Sequence, residues 1–258
     1  MRGFASVGTN TSDNVTSLLT AHSSTRSYHI IANRLGPGSA GGGGGRMFDK
    51  SDGATEALFY DSGGGGNYSY FRGFSGNGFG WWFVVSPSTS ANHAVGVSYN
   101  SSAAANVPIM YLDGVAQSLS TLQQGTGTAT TNASAYMIGN RADFARNWDG
   151  HLGEFAAWDA ILTAAEFAQL ALGISALLVR PSALVEYIPL FGNATSTETT
   201  FKTAGASVGG ALSTQHPRIV YPARSPSVIV TAAAAAAVPY AALMGATTTT
   251  ISGGRPQP

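Results

Sequence analysis

Hydrophobic and polar positions alternate first at Arg26–Leu35, where "RSYHIIANRL" sets Tyr28, Ile30 and Ala32 on one side of an extended segment. A period of two is the mark of a strand. Similar short runs follow at Gly45–Lys50, Ala57–Ser62, Asn67–Phe74, Gly80–Ser86, His93–Asn100, Pro108–Val115, Ala135–Arg141 and Gly150–Ala160. Turns rich in Gly, Ser and Asn separate them. In His93–Asn100, Ala94, Gly96 and Ser98 alternate with Val95, Val97 and Tyr99, the pattern of a half-buried strand. Asp113-Gly114 is a hairpin-type turn. Many short strands between turns predict a β-sandwich.

The period changes once. In "ILTAAEFAQLALG", Thr163 followed by Glu166 forms a capping box at a helix start. Ala164, Phe167, Leu170 and Ala171 then make an apolar stripe, and Gly173 stands at the position of a terminating glycine. Beyond it, "ALLVRPSALVEYIPLFG" is apolar, but Pro181 and Pro189 bar a long helix. From Asn193 the chain is rich in Thr, Ser, Gly and Ala, and His216–Val230 spaces prolines between apolar residues, favouring an extended edge segment. Residues after Thr231 lack the large side chains needed to bury a core of their own. The expected organisation is a sandwich over residues 1–190 and an extended Pro/Ala/Thr-rich arm over 191–258. Ordering such an arm requires something to pack on it, and a neighbouring subunit is the natural candidate. Ile219, Tyr221, Val228, Ile229 and Tyr240 are its expected contact residues.

Gly41–Gly45 and Gly63–Gly66 interrupt the strand series. A phosphate-binding loop would need Lys-Ser/Thr after the glycines and a helix beyond them. Here "RMFDK" reads as a strand, so both runs are expected to be loop tips, open to close approach by another chain.

Charge narrows the function. Only 10% of the 258 residues are charged and the formal net charge is zero. An ordinary soluble domain carries roughly 25%. No basic field exists to gather phosphates, so nucleic acid and acidic membranes are excluded as partners. Little opposes self-association. Cysteine is absent, which removes disulfides, thiol nucleophiles and thiolate metal sites. That suits a protein made in a reducing cytoplasm and used outside it. "MRGFASVGTNTSDN" shows no apolar secretory segment. The run Val228–Met244 is too short and too Pro- and Ala-rich for a membrane span of ~20 residues.

Part of the chain resembles a known family. "GWWFVVS", "NHAVGVSYN", "YLDG" at Tyr111–Gly114 and above all "IGNR…WDGHLGEFAAWDAILTAAE" are similar to laminin G-like, concanavalin A-like jelly rolls encoded by tailed phages. The likeness runs over roughly Tyr28–Pro189. It implies that Gly150–Glu154 lies in the final sandwich strand and that Leu162–Glu166 starts a short helix packed beneath it. The polar N-terminus and the "LGPGSAGGGGG" insertion depart from the family pattern. Such domains often bind calcium at a rim, where Asp49, Asp52 and Asp113 could supply oxygens, although Asp before Gly is also an ordinary turn residue.

No catalytic constellation is legible. Glycoside hydrolysis needs paired carboxylates, and Glu154 and Asp159 fall on opposite faces of a regular strand. There is no G-x-S-x-G elbow. His22, His29, His93, His151 and His216 have no metal-ligand spacing. Aromatic residues are the remaining candidates. Tyr68, Tyr70, Trp81 and Trp82 could contact a sugar or a subunit; alternation places one tryptophan in the core and the other outside, without assigning which.

The expectation is an all-β concanavalin A-like jelly roll with one short helix and an extended C-terminal arm. It is expected to be a non-enzymatic virion protein, assembled in a host cytoplasm and free of cofactors and metals. Its leading role would be capsid decoration, contacting copies of itself and a major capsid protein. The alternative is a carbohydrate-binding tail or fibre module for host adsorption, with a glycan as partner.

Overall fold

The computed structural model describes residues 2–6, 14–17, 19–38, 44–50, 55–62, 65–87, 89, 91–190, 206–208 and 212–215, with 2–6, 206–208 and 212–215 as backbone. Two antiparallel sheets make a jelly-roll sandwich. Strands are numbered in chain order. One sheet runs in space β10 (Val115–Ala116), β9 (Ile109–Leu112), β8 (Asn92–Asn100), β3 (Thr25–Arg34), β13 (Gly150–Trp158), β1 (Arg2–Ser6) and β16 (Leu212–Gln215). β14 (Leu184–Ile188) pairs with the second half of β13. The other sheet runs β11 (Ser120–Gln123), β7 (Gly78–Val85), β6 (Asn67–Phe74), β5 (Glu56–Asp61), β4 (Arg46–Asp49), β12 (Met137–Ile138), β2 (Asn14–Thr16) and β15 (Ala206–Val208).

The main core lies between the sheets. Tyr28, Ile30, Ala32, Val95, Val97, Leu152 and Phe155 of the first meet Phe48, Leu58, Tyr68, Tyr70, Trp82 and Ile138 of the second. A second core covers the far side of the first sheet. There α1 (Ala164–Ala171) sets Phe167 and Leu170 against Tyr111, Ala156 and Trp158. The capping box forms as expected: Thr163 Oγ1 accepts from Glu166 N, and Glu166 Oε2 accepts from Thr163 N at 2.7 Å. Gly173 (φ 83°) ends the helix. Because the helix covers this side, β8 is buried on both faces rather than on one. A Cβ at Gly96 would come 2.4 Å from the Phe167 ring, so the small residues on that face of β8 make the seat of the helix.

The glycine run has an internal purpose. Gly44 (φ 54°) would place a Cβ 1.5 Å from the Tyr60 carbonyl oxygen, and Gly45 one 2.8 Å from that of Asn147. The close approach expected from another chain is made at these two positions by the chain's own backbone. Gly65 differs, with nothing within 4 Å of its Cβ position.

The sheets reach past residue 190. β15 pairs with β2 and β16 with β1, so part of the segment expected to form an arm joins the sandwich. Ladder hydrogen bonds order a backbone whose side chains are too small to make a core. The expected arm contacts Ile219, Tyr221, Val228, Ile229 and Tyr240 lie outside the described residues. Among the described residues no helix is long and apolar enough to cross a membrane.

Candidate functional site: an aromatic face on the second sheet

Alternation along β7 decides where its rings go. Gly80, Trp82 and Val84 point into the sandwich; Phe79, Trp81 and Phe83 point out and are half-buried. Register extends the outer row. Trp81 pairs with Phe71 and Phe83 with Ser69 on β6, and Ser69 pairs with Phe59 on β5. Ring centroids lie 5.6 Å apart for Phe59–Trp81, 6.1 Å for Phe79–Trp81 and 5.2 Å for Phe71–Phe79. Phe71 is half-buried like Trp81, while Phe59 is 3% exposed and forms the floor. Apolar ring faces thus stay partly open on a strand scaffold. Polar groups flank them: Gln123 pairs with Trp81 and donates from Nε2 to the carbonyls of Phe79 (3.1 Å) and Asn77 (3.3 Å).

The row ends in arginines. The Arg46 guanidinium lies 4.0 Å above the Phe59 ring and its Nε donates to Asp49 Oδ2 at 3.0 Å. The backbone of Arg146 meets the same strand, its carbonyl accepting from Arg46 N at 2.9 Å. Asn140 holds this loop in shape, its Oδ1 accepting from the backbone N–H groups of Arg141 (2.9 Å) and Arg146 (3.1 Å). Arg141 pairs with Asp143 through both Nε and Nη2. That pair holds the Asp143 carboxyl down at about 2, with the Arg141 hydrogen bond the main cause. Burial draws the Arg46 guanidinium down to about 10; Asp49 opposes this and Arg146 adds to it, and Arg46 stays charged at neutral pH.

The sequence candidates divide. Trp81 is on the outer face. Trp82, Tyr68 and Tyr70 are each 0% exposed, so the expectation that they contact a sugar or a subunit is corrected. They fill the inner positions of the same alternation, Tyr70 stacking on Trp82 at 6.2 Å. Phe71, Phe79 and Phe83 were missed, although the spacing that separates Trp81 from Trp82 already places Phe79 and Phe83 with Trp81.

The acidic candidates do not assemble a site. Asp49 is buried beside Arg46, and Asp113 (φ 51°) caps the β9–β10 turn while accepting from Ala94 N and pairing with His93 at 2.8 Å. Asp52 and His216 lie outside the described residues. A bulge at Glu154 (φ 49°) breaks the regular alternation of β13. Glu154 sits in the second core, accepting from Ala176 N at 3.0 Å and 3.7 Å from His29, while Asp159 bonds Arg26 at 2.8 Å. Among the described residues no cluster of His, Asp or Glu could hold a metal.

One polar network lies inside the sandwich, at positions with no local pattern to mark it. Glu56 accepts from the hydroxyls of Tyr28 (2.6 Å), Tyr136 (2.8 Å) and Tyr70, with His22 at 3.3 Å. Burial pushes its carboxyl up, but His22, Arg72 and the Tyr28 hydroxyl outweigh that and hold it well below the carboxylate range. Burial, and then the Glu56 charge, push Tyr28, Tyr70 and Tyr136 well above the usual phenol range. With Glu56 and its three tyrosines buried, the network is placed to hold the sheets together rather than to meet a ligand.

No protein-family model matches the chain, and no curated protein matches it. Solved structures do. A protein of Bacteroides ovatus ATCC 8483, provisionally described as carbohydrate-binding, is 16% identical with TM-score 0.61, over 85% of this chain and 60% of that one. A native heptameric SAP-like pentraxin of Limulus polyphemus is 11% identical with TM-score 0.55, over 83% of this chain and 94% of that one. The chain therefore spans three-fifths of the first protein's length. These likenesses show the fold, a jelly-roll sandwich, and leave function to the residues.

Proposed function

We propose that this chain is a non-catalytic carbohydrate-binding module whose site is the outer face of the second sheet. The carrying observation is the row of half-buried rings at Phe71, Phe79, Trp81 and Phe83, braced by a buried Phe59. A sugar ring has one face of C–H groups and a rim of hydroxyls. Apolar rings at fixed spacing receive the face, and the neighbouring Gln123 offers a polar group to the rim. Strand-borne rings need little ordering when the ligand arrives. The likeness to a provisionally carbohydrate-binding protein supports this reading.

The laminin G-like motifs resembling those of tailed phages extend the proposal to host adsorption: the module would sit on a tail or fibre and bind surface sugar. The capsid-decoration reading has less behind it. Its expected arm contacts, Ile219, Tyr221, Val228, Ile229 and Tyr240, lie outside the described residues.

The test is an oligosaccharide array probed with the full chain and with Trp81→Ala, Phe71→Ala and, as a control on the far helix, Leu172→Ala. Leu172 is 81% exposed. Binding retained by Leu172→Ala and lost by the two ring variants, with thermal melts showing all three folded, is the expected result. Undiminished binding by folded Trp81→Ala would remove the site.

A further inference from the structure

The arginine end of the aromatic face has uneven charge. Arg46 is matched by Asp49 and Arg141 by Asp143. Arg146 makes no direct ion pair among the described residues; Asp143 feels its charge, but both oxygens of that carboxylate are already engaged by Arg141. Its side chain is half-buried, and Nη1 is buried with no hydrogen-bond acceptor. A guanidinium that is partly desolvated and unpaired is unfavourable until an anion meets it. Arg146 is also held beside the aromatic face: its carbonyl bonds Arg46 N, Arg46 covers Phe59, and Phe59 touches Trp81. A chain that carries little charge overall keeps an unmatched cation here.

Resting on the carbohydrate-binding reading, we propose that the glycan taken by this face is anionic and that Arg146 pairs with its carboxylate or sulfate. One sugar stacks on Trp81 and Phe71. The acidic group belongs to a sugar further along the same chain, toward β4. A planar guanidinium fits either oxyanion with two parallel N–H donors, which a lysine cannot imitate. Arg146 is thus the residue that sets specificity, and the rings supply affinity common to neutral and acidic chains.

The experiment is calorimetric titration of the full chain with three oligosaccharides of equal length: one neutral, one of uronic acids and one sulfated. Wild type is compared with Arg146→Gln, Arg146→Lys and Trp81→Ala. Wild type is expected to bind at least one acidic chain about ten-fold or more tightly than the neutral one, the scale of one charge-assisted pair. Arg146→Gln should erase that preference and its salt dependence while keeping the neutral affinity. Arg146→Lys should recover only part. The carboxylated and sulfated arms say which oxyanion fits. An acidic preference unchanged in Arg146→Gln overturns the assignment of Arg146, and equal or weaker binding of both acidic chains overturns the anionic glycan. In either case, loss of neutral binding in Trp81→Ala leaves the aromatic site standing; if no chain binds, both readings fall.

Discussion

Trp81 and Trp82 are neighbours in the chain and lie on opposite faces of one sheet. Trp82 is fully buried between the sheets and stacks on Tyr70, whereas Trp81 is half-buried on the outer face with its ring 5.6 Å from Phe59. The strand therefore separates the core from the proposed binding face between two adjacent residues of the same type. Trp82→Ala should cost about 3–5 kcal/mol of stability, as for a large buried ring. Trp81→Ala should cost about 1–2 kcal/mol, in line with the smaller apolar area it covers. Chemical denaturation of the two variants measures the difference; equal losses would mean that Trp81 is a core residue.

Glu56 is expected to be a keystone of the sandwich. Glu56→Gln removes the charge facing His22 and Arg72 while keeping the shape, and should destabilise by about 3–5 kcal/mol, the scale for breaking a buried ion pair. Its pH dependence has a definite sign. The folded carboxyl titrates below its ordinary value of 4.5, so the stabilisation is complete above that pH and is lost as pH falls further. Denaturation midpoints measured from pH 7 down to 3 should fall below about pH 4.5 in wild type, and fall less steeply in Glu56→Gln.

The tyrosines around Glu56 predict the opposite limb. Tyr28, Tyr70 and Tyr136 titrate well above 10.0 in the folded chain, so the unfolded chain loses their protons first. Their contribution is intact below pH 10 and declines as pH rises beyond it. Phenolate absorbance in an alkaline titration should show a first group of the chain's 10 tyrosines ionising near the ordinary phenol value, and a delayed group that includes Tyr68 and Tyr99, pushed up to about 12, with Tyr28, Tyr70 and Tyr136 ionising last, as the chain unfolds. A single smooth titration at the ordinary phenol value would contradict the buried network.

Gly44 and Gly96 should each resist substitution, for different reasons. Gly44→Ala meets a left-handed φ of 54° and the Tyr60 carbonyl; Gly96→Ala meets the Phe167 ring. Losses of about 1–3 kcal/mol are expected for each, the usual scale of overpacking. At Gly65, whose Cβ position is open, the positive φ alone should cost about 1 kcal/mol. Thermal melts of the three variants give the order.

Much of the sandwich is legible in local pattern. Asn67–Phe74, the Asp113-Gly114 turn, and the Thr163 cap with its Glu166 partner can be read because periodicity, turn chemistry and capping are local properties. β1, β2, β15 and β16 are not legible. They are too short to show a period, and ladder pairing with residues far along the chain makes them strands. The site is half legible. Alternation in "GFGWWFVV" contains the outer row of Phe79, Trp81 and Phe83. The placement of Phe71 beside Trp81, and of Phe59 beneath Arg46, depends on register, which no single strand encodes. Arg146 reaches the site through a loop, so nothing near it in sequence points to the rings.

The central claim is that sugar binds on the outer rings. The chain has four tryptophans, so its nitrogen-15 spectrum offers four indole N–H signals, each assignable by substitution. Titrating the labelled full chain with a bound oligosaccharide from the array should shift the Trp81 indole signal and leave those of the buried Trp82, Trp148 and Trp158 in place. A saturating ligand that leaves Trp81 unmoved would contradict the account.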